Sequence, residues 1–402
     1  MTPTVAPDPR TDAELVGSVG RVVARPKVAP ADSFVLHAPL ELLARSGLLP
    51  HVRAADRPAA RQRIAELGQK YSAAGESVPD PDPQRFDSPA EAATALTAAI
   101  TDGDLDAVDG AASALGAMAS PAELARLLAR PVAASLAAAG HASILLYLLP
   151  RVAPGGQVTG TVLRGPAREL ARHADWQLHW FEDVEGTVAG GSLAAALLEV
   201  PSLGVPGSEF IFPIMNQAEE SGLAAKLLSG IVAAPPDIRT ARAQLARVAA
   251  WSMLQEPPDH APYGWSHCLT MPQAVMGVAG DGAAARTALA VAATYVVGFR
   301  AALGQTAISP SIEPTPSRHG RLADAIGAGR DEAAGWVWNA PHSARDEIRT
   351  ELATRAATHP DAHLVKYTLA TFDAAAVDPD HEPLYLAAAA SLSAFWAARP
   401  GD

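Results

Sequence analysis

One cysteine, Cys268, stands in a chain of 402 residues. That excludes an intramolecular disulfide and a multi-cysteine zinc site, and it fits a reducing compartment, so the expected location is cytoplasmic. Aromatic residues are only 5%, and 31 Lys and Arg against 43 Asp and Glu give a net charge of −12. With no Lys/Arg block there is no electrostatic footprint for a polyanion, and nucleic acid is not an expected partner. The most apolar stretch, Thr287 to Phe299, is bounded by Arg286 and Arg300. It falls short of the roughly 20 residues of a membrane span and reads as a buried core helix, so no membrane partner is expected. G-x-G-x-x-G, a Walker P-loop, H-E-x-x-H, G-x-S-x-G and CxxC are all missing, which removes the main support for dinucleotide folds, P-loop ATPases, zincins and α/β-hydrolases.

What is present is Ala and Leu, in a chain that is 49% hydrophobic. These are strong helix formers, and β-branched runs are scarce, so the expected fold class is all-α. Ser88-Pro89-Ala90-Glu91 and Ser120-Pro121-Ala122-Glu123 each place an N-cap Ser, a Pro at the first helical position and a Glu able to reach back to the cap amide. Thr270-Met271-Pro272-Gln273 is a looser version of the same signal. Helices are expected near 38–47, 56–72, 89–100, 103–117, 121–149 with a break at Pro131, and 165–182. Others are expected near 191–199, 217–231, 237–254, 271–280, 283–303, 319–338 in pieces, 343–357, 360–376 and 383–397. Residues 1–31, Pro-rich and interrupted by charge, read as a disordered or extended leader, and residues 32–399 as a single large helical domain.

Of the 12 histidines, His51, His260, His319, His342 and His381 occupy polar or turn contexts and read as solvated. Four others sit among apolar residues. His37 lies in SFVLHAPLELLARSGLL, at a helix entrance marked by Pro39, with Glu41 near enough to hold its second nitrogen. His141 lies in AAGHASILLYLL, sharing a face with Ile144, Leu145 and Leu148 and without a polar side chain nearby. His267 lies in YGWSHCLT, just before the helix expected from Thr270. His363 lies in AHLVKYTLA, with Lys366 at i+3 and Tyr367 at i+4 on the same side. Any one of these, alone, reads first as a hydrogen-bonded core residue. Four on separate helices point to a metal site, because bundles build such sites from side chains converging from facing helices. Burial lowers a lysine's pKa, and a neutral amine can take up carbon dioxide as a carbamate, an oxygen donor that can ligate a metal.

In their order and context these four segments resemble the questin oxidase-like family of non-heme iron oxygenases, over a span from about Asp32 to about Trp396. His363-x-x-Lys366 in a late helix is the most specific element. The resemblance implies a largely helical fold with the metal site in its core. It also implies Fe(II) held by His37, His141, His267 and His363 through nitrogen and by Lys366 through its carbamate, with one octahedral position open. It further implies dioxygen-dependent oxidation and ring cleavage of a small aromatic substrate, an aromatic polyketide or quinone-type natural product of secondary metabolism, and leaves open the need for an external reductant such as NADPH.

A flat substrate needs an apolar slot, for which Trp176, Trp180, Trp265 and Tyr367 are candidate walls, although each also reads as core packing. His173, Trp176, His179 and Trp180 have the spacing of one amphipathic helix. Cys268 reads as a small hydrophobe. Adjacent Glu219 and Glu220 cannot face each other as a catalytic pair. Two other classes remain open: a non-catalytic helical protein that binds an apolar ligand or partner, and a metal-dependent hydrolase with a carbamylated lysine.

Overall fold

The computed structural model describes residues 9–82, 84–152, 160–184, 191–207, 210–280 and 284–399. Among them the expected all-α class is found: helices carry the whole architecture, and two isolated bridges, Lys27 with Ser77 and Ser135 with Gln177, are the nearest approach to a sheet.

The leader is corrected over its second half. Residues 1–8 lie outside the described residues, but Asp12–Val23 forms helix α1. The prolines of this segment flank 12–23 and leave it uninterrupted. A capping box starts the helix: Thr11 Oγ1 accepts from Glu14 N, and Glu14 accepts from Thr11 N at 2.7 Å. Leu15, Val16, Val19 and Val23 then bury one face against α3 (Arg57–Ala73).

Helix α2 (Ser33–Leu48) precedes α3, and α4 (Pro89–Asp102), α5 (Leu105–Met118) and α6 (Pro121–Ala133) follow it. Ser88 and Ser120 cap α4 and α6 as the sequence predicts, accepting from Glu91 N and Glu123 N. The Glu91 carboxylate, however, takes Asp87 N at 2.7 Å and not the cap amide. Pro131 sits inside α6 and does not break it, since a proline in the last turn disrupts little of the ladder beyond it. The break falls between 134 and 140, where Ala138, Ala139 and Gly140 have φ of 51°, 48° and 68°.

After α7 (His141–Val152) comes α8 (Arg164–Arg172), which ends well before the expected 182. Residues 173–184 are therefore not one amphipathic helix. Their backbone pairs outward, Leu136 N donating to Trp176 O at 2.8 Å and Leu178 N to Ala134 O at 3.0 Å, which takes those groups from a helical ladder. After α9 (Leu193–Leu198), the expected 217–231 helix is two, α10 (Phe212–Glu220) and α11 (Leu223–Ala233), divided by Gly222 at φ 69°. The remaining helices are α12 (Ile238–Gln255), α13 (Ser266–Ala279), α14 (Ala285–Leu303), α15 (Leu322–Ala328), α16 (Arg330–Trp338), α17 (Arg345–Thr358), α18 (Ala362–Val377) and α19 (Glu382–Ala397). Thr270 lies inside α13 and does not start it: its Oγ1 donates to Ser266 O at 3.1 Å.

Helices α13, α14, α18 and α19 form the apolar centre, buried on almost all sides. Helix α14 is longer than its apolar run implied. By length and composition its 19 residues are enough to cross a membrane, but 89% of its most apolar window is buried inside the protein, as the core reading expects.

Candidate metal centre

Four helices, two of them from the apolar centre, bring their imidazoles together: α2, α7, α13 and α18. Helix α2 begins one turn earlier than read, because Asp32 caps it by accepting from Val35 N at 2.8 Å. His37 therefore sits in its second turn. Its Nδ1 lies 2.5 Å from Ser33 O, so the carbonyl one turn back holds the ring. Glu41, expected to do so, is turned to Arg45, with Arg45 Nε at 2.7 Å from Glu41 Oε1.

His141 opens α7 directly after the left-handed run. Left-handed backbone costs an L-residue about 1–2 kcal/mol. Here it turns two carbonyls onto the ring, Ala139 O at 2.7 Å and Ala138 O at 3.1 Å from Nδ1. Gly140 must remain glycine, since a Cβ there would collide with the Tyr295 hydroxyl. His267 follows a single π-helical turn, Ala261–Trp265, which sets Tyr263 O 2.5 Å from His267 Nδ1. His363 lies in the first turn of α18, where Nδ1 faces Asp361 Oδ2 at 3.5 Å.

Every Nδ1 thus faces an oxygen acceptor, which makes it the protonated nitrogen and leaves the lone pair on Nε2. Those lone pairs meet. His37 Nε2 and His141 Nε2 are 3.1 Å apart, and Lys366 Nζ is 3.5 Å from His141 Nε2. His267 Nε2 is buried with no hydrogen-bond partner. Ligand nitrogens of His37, His141 and His267 lie within 4.8 Å of one another, an arrangement that can hold a metal ion. The His363 ring stands beside them, its centroid 4.6 Å from that of His37 and 5.0 Å from that of His267. The five residues singled out in the sequence therefore share one centre. Imidazole lone pairs that converge in the core, with the Lys366 amine as the donor within reach of one of them, can hold a cation.

Burial sets the charge state. It pushes the imidazoles of His37, His141 and His267 well below their ordinary value, and the neighbouring Lys366 adds to the effect. His363 is lowered by the same two causes, while Asp361 opposes them. Burial brings Lys366 down from 10.5 to about 7, against the raising influence of Asp361 and Glu41. Near neutral pH the imidazoles are thus neutral ligands, and a large fraction of Lys366 is a free amine.

His37 and His363, each 8% exposed, mark the outer side of the centre, and His141 at 1% its floor. On that outer side the Tyr263 ring meets His363 edge-on at 4.8 Å and is 47% exposed. The Phe210 ring lies 6.2 Å from His267. Neither had been singled out by sequence; the π-turn that puts Tyr263 there has no local signature. Of the four expected wall residues, Trp265 and Tyr367 are fully buried, with Nε1 and Oη unpartnered. Trp176 stacks between His173 and Phe212 at 4.0 and 4.2 Å, and Trp180 Nε1 donates to Thr294 at 2.9 Å. The Glu219 carboxylate accepts from His179 N and Trp180 N at 2.7 and 2.6 Å, a structural role. Cys268 is buried, its thiol pushed up to about 12, and is inert as expected. His51, His260, His319, His342 and His381 are exposed or half-buried.

The class defined by this geometry is an all-helical protein with a buried histidine cluster able to hold a metal. Comparison with family models, with curated proteins and with solved structures finds no match to the chain.

Proposed function

We propose that this protein is a non-heme iron-dependent oxygenase of the questin oxidase-like type, which oxidises and opens a ring of an aromatic polyketide or quinone-type natural product. The observation that carries this reading is a buried group of three imidazoles, His37, His141 and His267, with the His363 ring beside it and the Lys366 amine 3.5 Å from His141 Nε2. A structural helix has little reason to bury a lysine without a carboxylate partner. With a pKa of about 7, Lys366 Nζ can attack carbon dioxide and release one proton, leaving a carbamate oxygen beside the imidazoles. Four nitrogens and one anionic oxygen suit Fe(II), which supplies dioxygen activation when bound.

The protein's own groups do the rest. Backbone carbonyls of residues 33, 138, 139 and 263 fix the tautomers of three imidazoles. Trp265 and Tyr367, close in sequence to His267 and Lys366, are fully buried. Tyr263 and Phe210 offer aromatic edges where a flat substrate would arrive. A reductant such as NADPH would act from outside the chain.

Elemental analysis of freshly purified protein tests the reading. Near-stoichiometric iron, lost in His363→Ala, is expected, together with oxygen consumption when aromatic polyketide hydroquinones are screened. A chain that takes up no metal after anaerobic iron reconstitution would return the four histidines to a core role and leave a non-catalytic binding protein.

A further inference from the structure

Three of the four imidazoles are held by neutral backbone carbonyls, and one, His363, faces a carboxylate. We propose that Asp361 is a positioning residue for the centre: one carboxylate oxygen anchors it to the start of α18, and the other fixes His363 as the Nδ1-protonated, Nε2-donating ring. This rests on the metal-centre reading given above.

The geometry divides the two oxygens cleanly. Oδ1 accepts from His363 N at 2.8 Å and Leu364 N at 3.0 Å, the two bonds of an N-cap. Oδ2 is left to His363 Nδ1, at 3.5 Å. The anchor is itself held, since Asp361 N donates to His359 Nδ1 at 3.1 Å. The turn before it is tied to the His37 helix by the fully buried Arg45, whose Nη1 and Nη2 each lie 2.7 Å from Ala357 O and His359 O. One network therefore sets both the α2–α18 spacing and the His363 ring. A carboxylate behind an imidazole also raises its basicity above that of a ring backed by a carbonyl, which makes His363 the strongest of the four nitrogen donors.

Asparagine separates the two jobs of Asp361. In Asp361→Asn the amide oxygen can keep both cap bonds, since Asn caps as well as Asp. The NH2 group then replaces Oδ2 and donates to His363 Nδ1, forcing the proton to Nε2 and removing the lone pair from the centre. Asp361→Ser keeps a cap but leaves no oxygen for the ring.

The test is the tautomer of His363 in the metal-free protein, read from long-range proton–nitrogen spectra of 15N-histidine-labelled chain near pH 8, with the resonance assigned by His363→Gln. Wild type should show Nδ1–H, Asp361→Asn should show Nε2–H, and Asp361→Ser a mixture, with helical circular dichroism unchanged in all three. Anaerobic Fe(II) competition with a chelator should give about 10- to 100-fold weaker binding for Asp361→Asn. Nε2–H in wild type, or an unchanged tautomer in Asp361→Asn, overturns the proposal. If wild type binds no Fe(II) while the tautomers follow the stated pattern, the metal reading fails and the positioning role of Asp361 stands.

Discussion

Asp109, set between Arg164 and Arg168, and Lys366, set among four histidines, are both almost wholly buried, yet their surroundings treat charge in opposite ways. At Asp109 opposite charges meet. Arg164 Nε lies 3.3 Å from one carboxylate oxygen, Arg168 bonds the other, and Arg164 continues to Asp80 at 3.2 Å and Pro79 O at 2.9 Å. That cluster pairs its charges internally and pins α8 to α5. At Lys366 the partners are imidazoles, and burial lowers both them and the amine toward their neutral forms. The form of this histidine cluster is one that could hold a cation, where the Asp109 cluster is a fastening.

Substitutions can break this contrast. The largest effect is expected from Lys366→Met: iron content, read by elemental analysis, should fall to background. The metal-free protein should meanwhile gain on the order of 3 kcal/mol at pH 8 by urea denaturation, because a lysine held near 7 resists a proton that the unfolded chain binds up to about 10.5. Arg164→Leu should do the reverse, costing about 1–3 kcal/mol by leaving Asp109 with Arg168 as its guanidinium partner, while iron per folded chain stays at the wild-type level.

Gly140→Ala is expected to cost about 2 kcal/mol, from the left-handed φ of 68° and the collision with Tyr295, and to weaken iron binding by moving the carbonyls that hold His141. The contrast also has a pH signature. The buried imidazoles are depressed below the value near 6.5 that they take when unfolded, so below that pH the unfolded chain binds protons the fold refuses. Stability of metal-free protein should therefore fall on acidification through 6.5, by roughly 1.4 kcal/mol per pH unit for each such imidazole. The smallest effect is Ser88→Ala, about 1 kcal/mol with unchanged iron, since this cap lies on α4, outside the centre.

The helices were legible where local chemistry decides them, as at Ser88 and Ser120, where cap, proline and acid stand in one short window. They were misread where partners distant in sequence decide. Residues 173–184 have helical spacing but bond to the segment after α6, and Pro131 looks like a break that the chain makes several residues later. At the centre, a histidine in an apolar window was a usable signal because burying an imidazole requires partners. What holds those rings was not legible. Ser33, Ala138, Ala139 and Tyr263 act through carbonyls, which every residue carries, and only the backbone path reveals which ones turn inward. Asp361 was overlooked because, in sequence, it reads as an ordinary helix cap.

The residues of the centre are far apart along the chain: His37 and His141 are separated by 104 positions, and His141 and Lys366 by 225. Closing loops of that size comes late and carries a large entropic cost, so no short fragment of this protein can assemble the cluster. An ion gripped there would cross-link four distant stretches of chain at once and favour the folded state in proportion to its occupancy. Loading would then serve as a checkpoint on completed folding.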